Sequence, residues 1–510
     1  MASVFDAYLA GEASAFFAEH YADPVHRRRA VDRARPVTPA LLAVLREQNS
    51  GRGAAVDANL TSLAAGAAVV VTGQQMGLFL GPLFTLYKAA TAIVAAKKLA
   101  TETRRAVVPL FWLQTEDHDM PEIARTYLRG PGGEPIALEV PVDAQDRRSV
   151  AHQALPQEVS RELEKLSDAL AGLPDGPAHA ERLRRHYRPG APWSAAFRGA
   201  LGELLAQDGL LFLDPRDARV AELALPIHRR AIDEAGPIAD VLLERSRALE
   251  QKGFEVPVHV RAESPLCFFH PRGADGPRFR LAKNTGGFSE IGGAATHDLN
   301  DDQDPLCFST SALLRPLIQD ALLPTAAYVG GPGEIAYFAQ LQPLYTAFGM
   351  SMPIVLPRAR LTIVEDKTDA LLTRLGLDVA DVKRPEDELL RGSSGGASLA
   401  LPDLVAALEP LRSELAALGL TSALEKTQAA VEHATKKLSE KIDHARLHQN
   451  ERRVTDVRRL KQLLFPLDQP QERVLGPAYF AARYGESRFV QAIIGAIDDP
   501  FDARPRELRP

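Results

Sequence analysis

Apolar and polar positions change period repeatedly along the first part of the chain. Ala67–Val71 is an unbroken apolar run that stops at the turn TGQQMG, as a strand buried on both faces would. Between Pro82 and Leu99, the residues Leu83, Leu86, Tyr87, Ala90, Ile93 and Val94 return at helical spacing. A second apolar run, VVPLFWL at Val107–Leu113, follows. Strand, turn, helix and strand in this order predict a parallel sheet covered by helices on both faces. Leu210–Leu213, Ala326–Val329 and PIVLP from Pro353 supply further strands, so the expected fold is α/β with a Rossmann-like core.

Two stretches break this rhythm. From about Thr126 to Arg219 the chain is charged and punctuated by Pro and Gly, with an amphipathic helix around Ser160–Leu173, and reads as an insertion beside the core. From Gly253 to His297, VPVHV, LCFFH and FRLA alternate among many glycines, which predicts hairpins in a second insertion. Beyond Arg360 the pattern turns helical, with a flexible break expected at RGSSGGAS, Arg391–Ser398. Leu424, Val431, Leu438 and Ala445 then recur at heptad spacing, with Ala434 and Ile442 near the intervening positions, which predicts a coiled coil. Val454, Val457, Leu460 and Leu464 continue in a shifted phase that implies a stutter or another packing surface. The expected organisation is a core over 1–365 with insertions near 126–219 and 253–297, a helical coiled-coil region over 366–465, and a segment 466–510 packing back on the protein.

With 510 residues the chain exceeds what one hydrophobic core usually organises, which requires more than one structural unit. A formal charge of -6 gives no global attraction for nucleic acid or anionic lipid, so neither is an expected partner. The acidic start MASVFDAYLAGEASAFFAEHYAD lacks the basic and apolar regions of a secretory signal, and the apolar runs are too short to span a bilayer. A cytoplasmic location is expected. Cys267 and Cys307 form no CxxC, so both are expected as small buried side chains, with neither a zinc site nor a disulfide framework.

Three segments can carry chemistry. In VVVTGQQMGLFLGPLFTLYK, Thr72, Gly73, Gln74 and Gln75 lie at a strand end; Gly73, Gly77 and Gly81 permit close approach of backbone NH groups to an anion, and the glutamines can orient a hydroxyl or carboxylate. The spacing matches no nucleotide-binding fingerprint, and a capped tight turn is the alternative. In FWLQTEDHDMPE, a strand ends in Glu116, Asp117, His118 and Asp119, where open α/β sheets bind ligands. Crowding should favour the imidazolium of His118 and raise at least one carboxyl pKa, which suits acid–base work or a hard metal ion; helix capping is the alternative. In the third, a strand runs into GGPGE, where Gly330, Gly331 and Gly333 with Glu334 can form an anion-binding turn. Arg315 on the preceding helix can clamp a carboxylate or phosphate, or pair on the surface, while Tyr337 and Gln340 share the Glu334 face or fill the core.

TGQQMGLFLGPLFTLYKA, VPLFWLQTEDHD, and RPLIQDALLPTAAYVGGPGEIAYFAQL with FGMSMPIVLPR resemble, in the expected order, the cysteine-adding enzymes of bacillithiol synthesis. The likeness extends through the helical region to QERVLGPAYFAARYG. It implies a Rossmann-type core with insertions, similar in plan to class I nucleotidyltransferases, and a coiled-coil appendage that makes a homodimer. It also implies a ligase that joins cysteine to glucosaminyl malate through an amide, the last step of the pathway. Where nucleotidyltransferases carry HxGH, this chain has LFLGP, Leu78–Pro82, without histidine, so the use of ATP with magnesium and the mode of carboxyl activation stay open. Arg358 opens RARLT after the last strand, where such folds place a basic loop for a phosphate or the malate carboxylates. On this reading His118 or one of Glu116, Asp117 and Asp119 is the base. The remaining named residues bind substrate, and no metal ligand set is assigned. Activation of another small carboxylate and a non-catalytic coiled-coil scaffold are the competing functions.

Overall fold

The computed structural model describes residues 3–293, 295–299, 304–391, 404–448 and 451–510. Most of the expected break at Arg391–Ser398 therefore lies outside the described residues. The chain forms two compact units, one of residues 1–362 with 472–508 and 510, the other of residues 363–471 with 509.

In the first unit the strands up to residue 357, in chain order, are β1 (Ala68–Gln74), β2 (Val107–Leu113), β3 (Arg125–Arg129), β4 (Pro135–Glu139), β5 (Leu211–Leu213), β6 (Cys267–Phe269), β7 (Phe279–Asn284), β8 (Gly287–Glu290), β9 (Thr296–His297), β10 (Phe308–Thr310), β11 (Thr325–Gly330) and β12 (Ile354–Pro357). The central sheet has the order β12-β11-β1-β2-β5, and every pairing in it is parallel. Val69, Val70 and Val71 on β1 and Leu110, Phe111 and Trp112 on β2 are buried without exception, the burial on both faces that their unbroken apolar runs require. Helix Phe84–Thr103 returns the chain from β1 to β2.

The stretch 126–219 is not wholly an insertion. It begins with the β3–β4 hairpin and continues through helices Val159–Leu170, Gly176–His186 and Trp193–Leu204, but β5 then joins the central sheet beside β2. This is the strand expected at Leu210–Leu213, and it belongs to the core although it lies inside the stretch read as an insertion. The second glycine-rich region forms antiparallel strands β6 to β9, and β10 completes that sheet in the order β10-β6-β7-β8-β9. Cys267 and Cys307 are free thiols and buried. After residue 471 the chain supplies further helices, Ala478–Tyr484 and Glu486–Ala496, to this unit.

The second unit has its own small core. Val457, Leu460, Leu463 and Leu464 of helix Glu451–Leu464 pack with Leu371, Leu372, Leu375, Leu389 and Leu390. This is the physical reason for the phase shift at Val454: the later apolar positions face a local core. The preceding helix, Thr421–His448, carries the heptad positions differently, with Leu424 buried, Val431 half-buried and Leu438 exposed. Among the described residues no helix is long and apolar enough to cross a membrane.

Candidate active site

The strand order reverses direction at β1: the chain proceeds outward through β2 on one side and through β11 on the other. A crevice must open above the carboxyl ends of the strands at such a switch point. It does, as a cavity of about 860 Å³ lined by Gln74, Gln75, the acidic end of β2, and the turn after β11.

Its floor is a network that sequence reasoning missed. Lys88, in the first half of helix Phe84–Thr103, is almost wholly buried, with its ammonium group bonded to the Gly73 carbonyl, to Gln74 Oε1 at 3.0 Å and to Glu334 Oε2 at 2.6 Å. Glu334 Oε2 also accepts from the Gly331 NH at 2.8 Å, while Oε1 accepts from the Tyr328 hydroxyl at 2.5 Å. Burial alone would raise the Glu334 pKa, but Lys88, the Gly331 NH and Tyr328 outweigh it and hold the carboxyl below its ordinary range. Burial lowers the Lys88 pKa, with Glu334 opposing. Arg315 extends the network, donating to Tyr337 Oη at 2.8 Å, Tyr328 Oη at 3.2 Å and Gln319 Oε1 at 2.9 Å. Arg315 is thus a buried arginine that lines the cavity. Arg358 is buried too, bidentate on Glu472 at 2.6 and 2.8 Å, and it lines the same cavity. The signal for Lys88 was its place inside an apolar helical run, where a solvated lysine does not belong.

At the end of β2 the four polar residues divide. Glu116 accepts from Thr310 Oγ1 at 2.5 Å and Asp119 caps the short helix Met120–Ile123 through the Glu122 NH at 3.3 Å. Asp117 accepts from Gln75 Nε2 and from the His118 NH, each at 2.7 Å. Burial works to raise its pKa, but bonds from His118 and Gln75 and the charge of Arg278 prevail, leaving it well below the usual carboxylate range. The expected raised carboxyl occurs instead at Glu122, through burial and then the neighbouring Asp119 and Asp117 charges. His118 lies at the cavity wall, its ring centroid 5.9 Å from that of Phe268 in an edge-on arrangement. Arg278 is a second missed residue: its guanidinium is buried 3.7 Å from the Phe268 centroid, bonds the Glu116 carbonyl, and has its pKa lowered to about 10 by burial. Nothing in its alternating hairpin sequence distinguishes it from a solvated arginine.

Other candidates sit near the cavity without lining it. The Thr72 hydroxyl donates to the Val329 carbonyl at 2.9 Å, tying β1 to β11. Gly73 packs against β2, where an added Cβ would stand 2.7 Å from the Trp112 carbonyl. The Gly330 carbonyl accepts from the Arg358 NH at 2.9 Å. Gln340 is buried and bonds the backbone of Val258, a residue of the cavity wall, without itself lining the cavity. Gly331 and Gly333 do line it, with Glu334 and Tyr337. Gly331 has φ −81°, so this turn needs no left-handed glycine there; Pro332 and Glu334 shape it by opening and capping the helix. Close backbone approach occurs instead between Gly77, just before LFLGP, and Gly81 within it, where a Cβ on Gly77 would lie 2.7 Å from Gly81 Cα.

A second cleft of about 1140 Å³ adjoins the first beneath β3, β4 and the start of helix Val159–Leu170. Gln74, Gln75, Glu122 and Arg473 line both. Among the described residues no group of three or more His, Cys, Asp or Glu side chains is arranged to hold a metal ion.

Residues 2–359 match the family described as the N-terminal Rossmann-like domain of bacillithiol biosynthesis BshC, and residues 400–503 match its C-terminal coiled-coil domain. A curated protein of Salinibacter ruber named "Putative cysteine ligase BshC" is 33% identical over 432 residues, 81% of this chain and 78% of that protein. Proteins of the same name from Solibacter usitatus and Koribacter versatilis are each 35% identical, the first over 88% of this chain and 85% of its own length, the second over 84% and 82%.

Proposed function

The chain belongs to the bacillithiol biosynthesis BshC family, and from that premise we propose that it is a cysteine ligase, joining the cysteine carboxyl to the amine of glucosaminyl malate as an amide. The observation that carries this reading is the cavity at the switch point, which sets His118 and the low-pKa Asp117 on one wall and Arg315, Arg358 and the Gly331–Glu334 turn on the other. A ligase for two anionic, amine-bearing molecules needs such a pairing of proton acceptor and fixed cations.

Within that set His118 is the base. Asp117 holds its proton too weakly, Glu116 is engaged by Thr310 and Asp119 by its helix cap. His118 takes a proton from the substrate ammonium, the N–H electron pair stays on nitrogen and attacks the carboxyl carbon of the activated cysteine, and as the C–N bond forms the carbon–oxygen bond to the activating group breaks, its electron pair leaving on that group's oxygen. Gln74 is held by Lys88 and Gln75 by Asp117, so both amides meet substrate in fixed orientations. The protein acts in the cytoplasm as a homodimer, with the Val431 and Leu438 face of helix Thr421–His448 as the seam; the exposure of Leu438 within one chain supports that assignment. Purified protein given cysteine and glucosaminyl malate, with and without ATP and magnesium, should yield the amide by mass spectrometry under at least one condition. Failure under both conditions would overturn the reaction.

A further inference from the structure

The two clefts meet where Gln75 Nε2 is shared between Asp117 Oδ2 at 2.7 Å and Glu122 Oε2 at 2.8 Å. Of the ionisable residues, only Glu122 and Arg473 line both spaces among the described residues. The other charges of the second cleft mostly neutralise one another: Arg125 pairs with Glu139 at 2.7 Å, while Arg161 and Lys165 hold Glu162 at 3.2 and 2.8 Å. At the junction the situation differs. The Glu122 side chain has one neutral partner, Gln75, and the Arg473 guanidinium has no ion-pair partner among the described residues. The junction therefore presents one anion and one cation, each with hydrogen-bonding capacity to spare, at the point where two substrates arriving from two spaces would meet.

We infer that Glu122 and Arg473 are the recognition pair for the acceptor substrate, Glu122 receiving its ammonium group and Arg473 a carboxylate. This rests on the ligase reading and adds to it a place for the acceptor: its sugar and acid portion occupies the second cleft, with the amine directed into the first. The chemistry fits a molecule carrying both an ammonium and carboxylates. The exposed guanidinium can present two parallel NH groups to a carboxylate, and Glu122 can accept NH bonds that the Gln75 amide leaves free.

Calorimetric binding to the full-length protein tests the pair without turnover, using glucosaminyl malate, its N-acetylated derivative, which has no ammonium, and its malate dimethyl ester, which has no carboxylate. A charge-assisted hydrogen bond lost at such a site corresponds to about tenfold in Kd or more. Glu122→Gln should weaken glucosaminyl malate by about that factor and leave the N-acetylated derivative unchanged. Arg473→Ala should weaken the diacid likewise and leave the dimethyl ester unchanged. Both side chains are exposed, so unfolding midpoints should match the parent. Loss shared by all three ligands, or by none, overturns the pair while the ligase reading stands. If the parent protein itself does not bind glucosaminyl malate, that acceptor is wrong and the pair falls with it.

Discussion

The Lys88 ammonium stands 2.6 Å from Glu334 Oε2, joining the helix after β1 to the helix after β11 across 246 positions of sequence. All three donors of the ammonium are used, so Lys88 has no capacity left for substrate. Its work is to hold the two walls of the crevice in register.

Lys88→Met should lower unfolding free energy by about 3–5 kcal/mol, because it leaves the Glu334 charge buried without its cation. Urea unfolding followed by tryptophan fluorescence reports on the correct unit, since Trp112 and Trp193 are the two tryptophans of the chain and both lie in it. The Glu334 pKa is depressed in the folded state, so its stabilisation is full above the unfolded value of 4.5 and is lost as pH falls through the lower folded value. The difference between parent and variant should narrow in that acid range. A difference independent of pH would refute the ion-pair account.

Asp320 should give the opposite slope. Burial raises its pKa from 3.8 to about 6 against hydrogen bonds from Tyr345 and Gln319. The folded state then binds the proton more tightly, so its contribution is present below pH 3.8 and disappears as pH rises through about 6. The change amounts to about 3 kcal/mol for a shift of this size. Asp320→Asn should remove that descending component from the stability–pH curve, and an unaltered curve would count against the assignment.

His118→Asn should reduce turnover by about 100-fold or more, as expected for loss of a general base, with little change in the unfolding midpoint. The ring is partly exposed at the cavity wall and is not a filler of the core. Parallel loss of activity and of folding would make it structural.

Gly331→Val and Gly333→Val should now separate. A Cβ on Gly331 lies 3.5 Å from both Arg358 Nε and Glu334 Oε2, so the larger side chain crowds the cavity wall and should weaken substrate binding without unfolding the turn. A Cβ on Gly333 meets nothing within 4 Å, and that variant should bind nearly as the parent does. Equal affinities for the two variants would remove the Gly331 wall from the site.

Val431→Asp with Leu438→Asp should produce monomers in sedimentation while helicity is kept. Leu438 is 49% exposed within one chain, so a carboxylate there is solvated until a partner covers it. Unchanged mass with unchanged helicity would remove the seam.

The central sheet could be read from the sequence because β1, β2 and β11 are apolar on both faces, a short unbroken signal that an amphipathic helix does not write. The acidic end of β2 was legible for a related reason: four polar residues directly after such a strand have to emerge where the sheet ends. Roles within the site were not. The apolar run around Lys88 marks the lysine as out of place but does not say what it holds, which only its contacts with Gly73 and Glu334 reveal. Whether Arg315 clamps a ligand or pairs on the surface stayed open because the tyrosines that receive it, Tyr328 and Tyr337, come from a strand and a helix still to follow. The GGPGE run was legible as a turn ahead of a helix, but glycine content alone does not reveal that Pro332 and the Glu334 cap impose an ordinary helix start there.

The Arg358–Glu472 pair has a consequence for the order in which the protein is made. Its guanidinium belongs to the crevice, yet the carboxylate that neutralises it comes 114 residues later, beyond the whole of the second unit. During synthesis, the ribosome must release nearly the entire polypeptide before Arg358 can be neutralised. A nascent chain stalled inside the second unit would hold a complete parallel sheet around an uncompensated cation, and the enzyme would therefore acquire its binding crevice as one of the last events of its biogenesis.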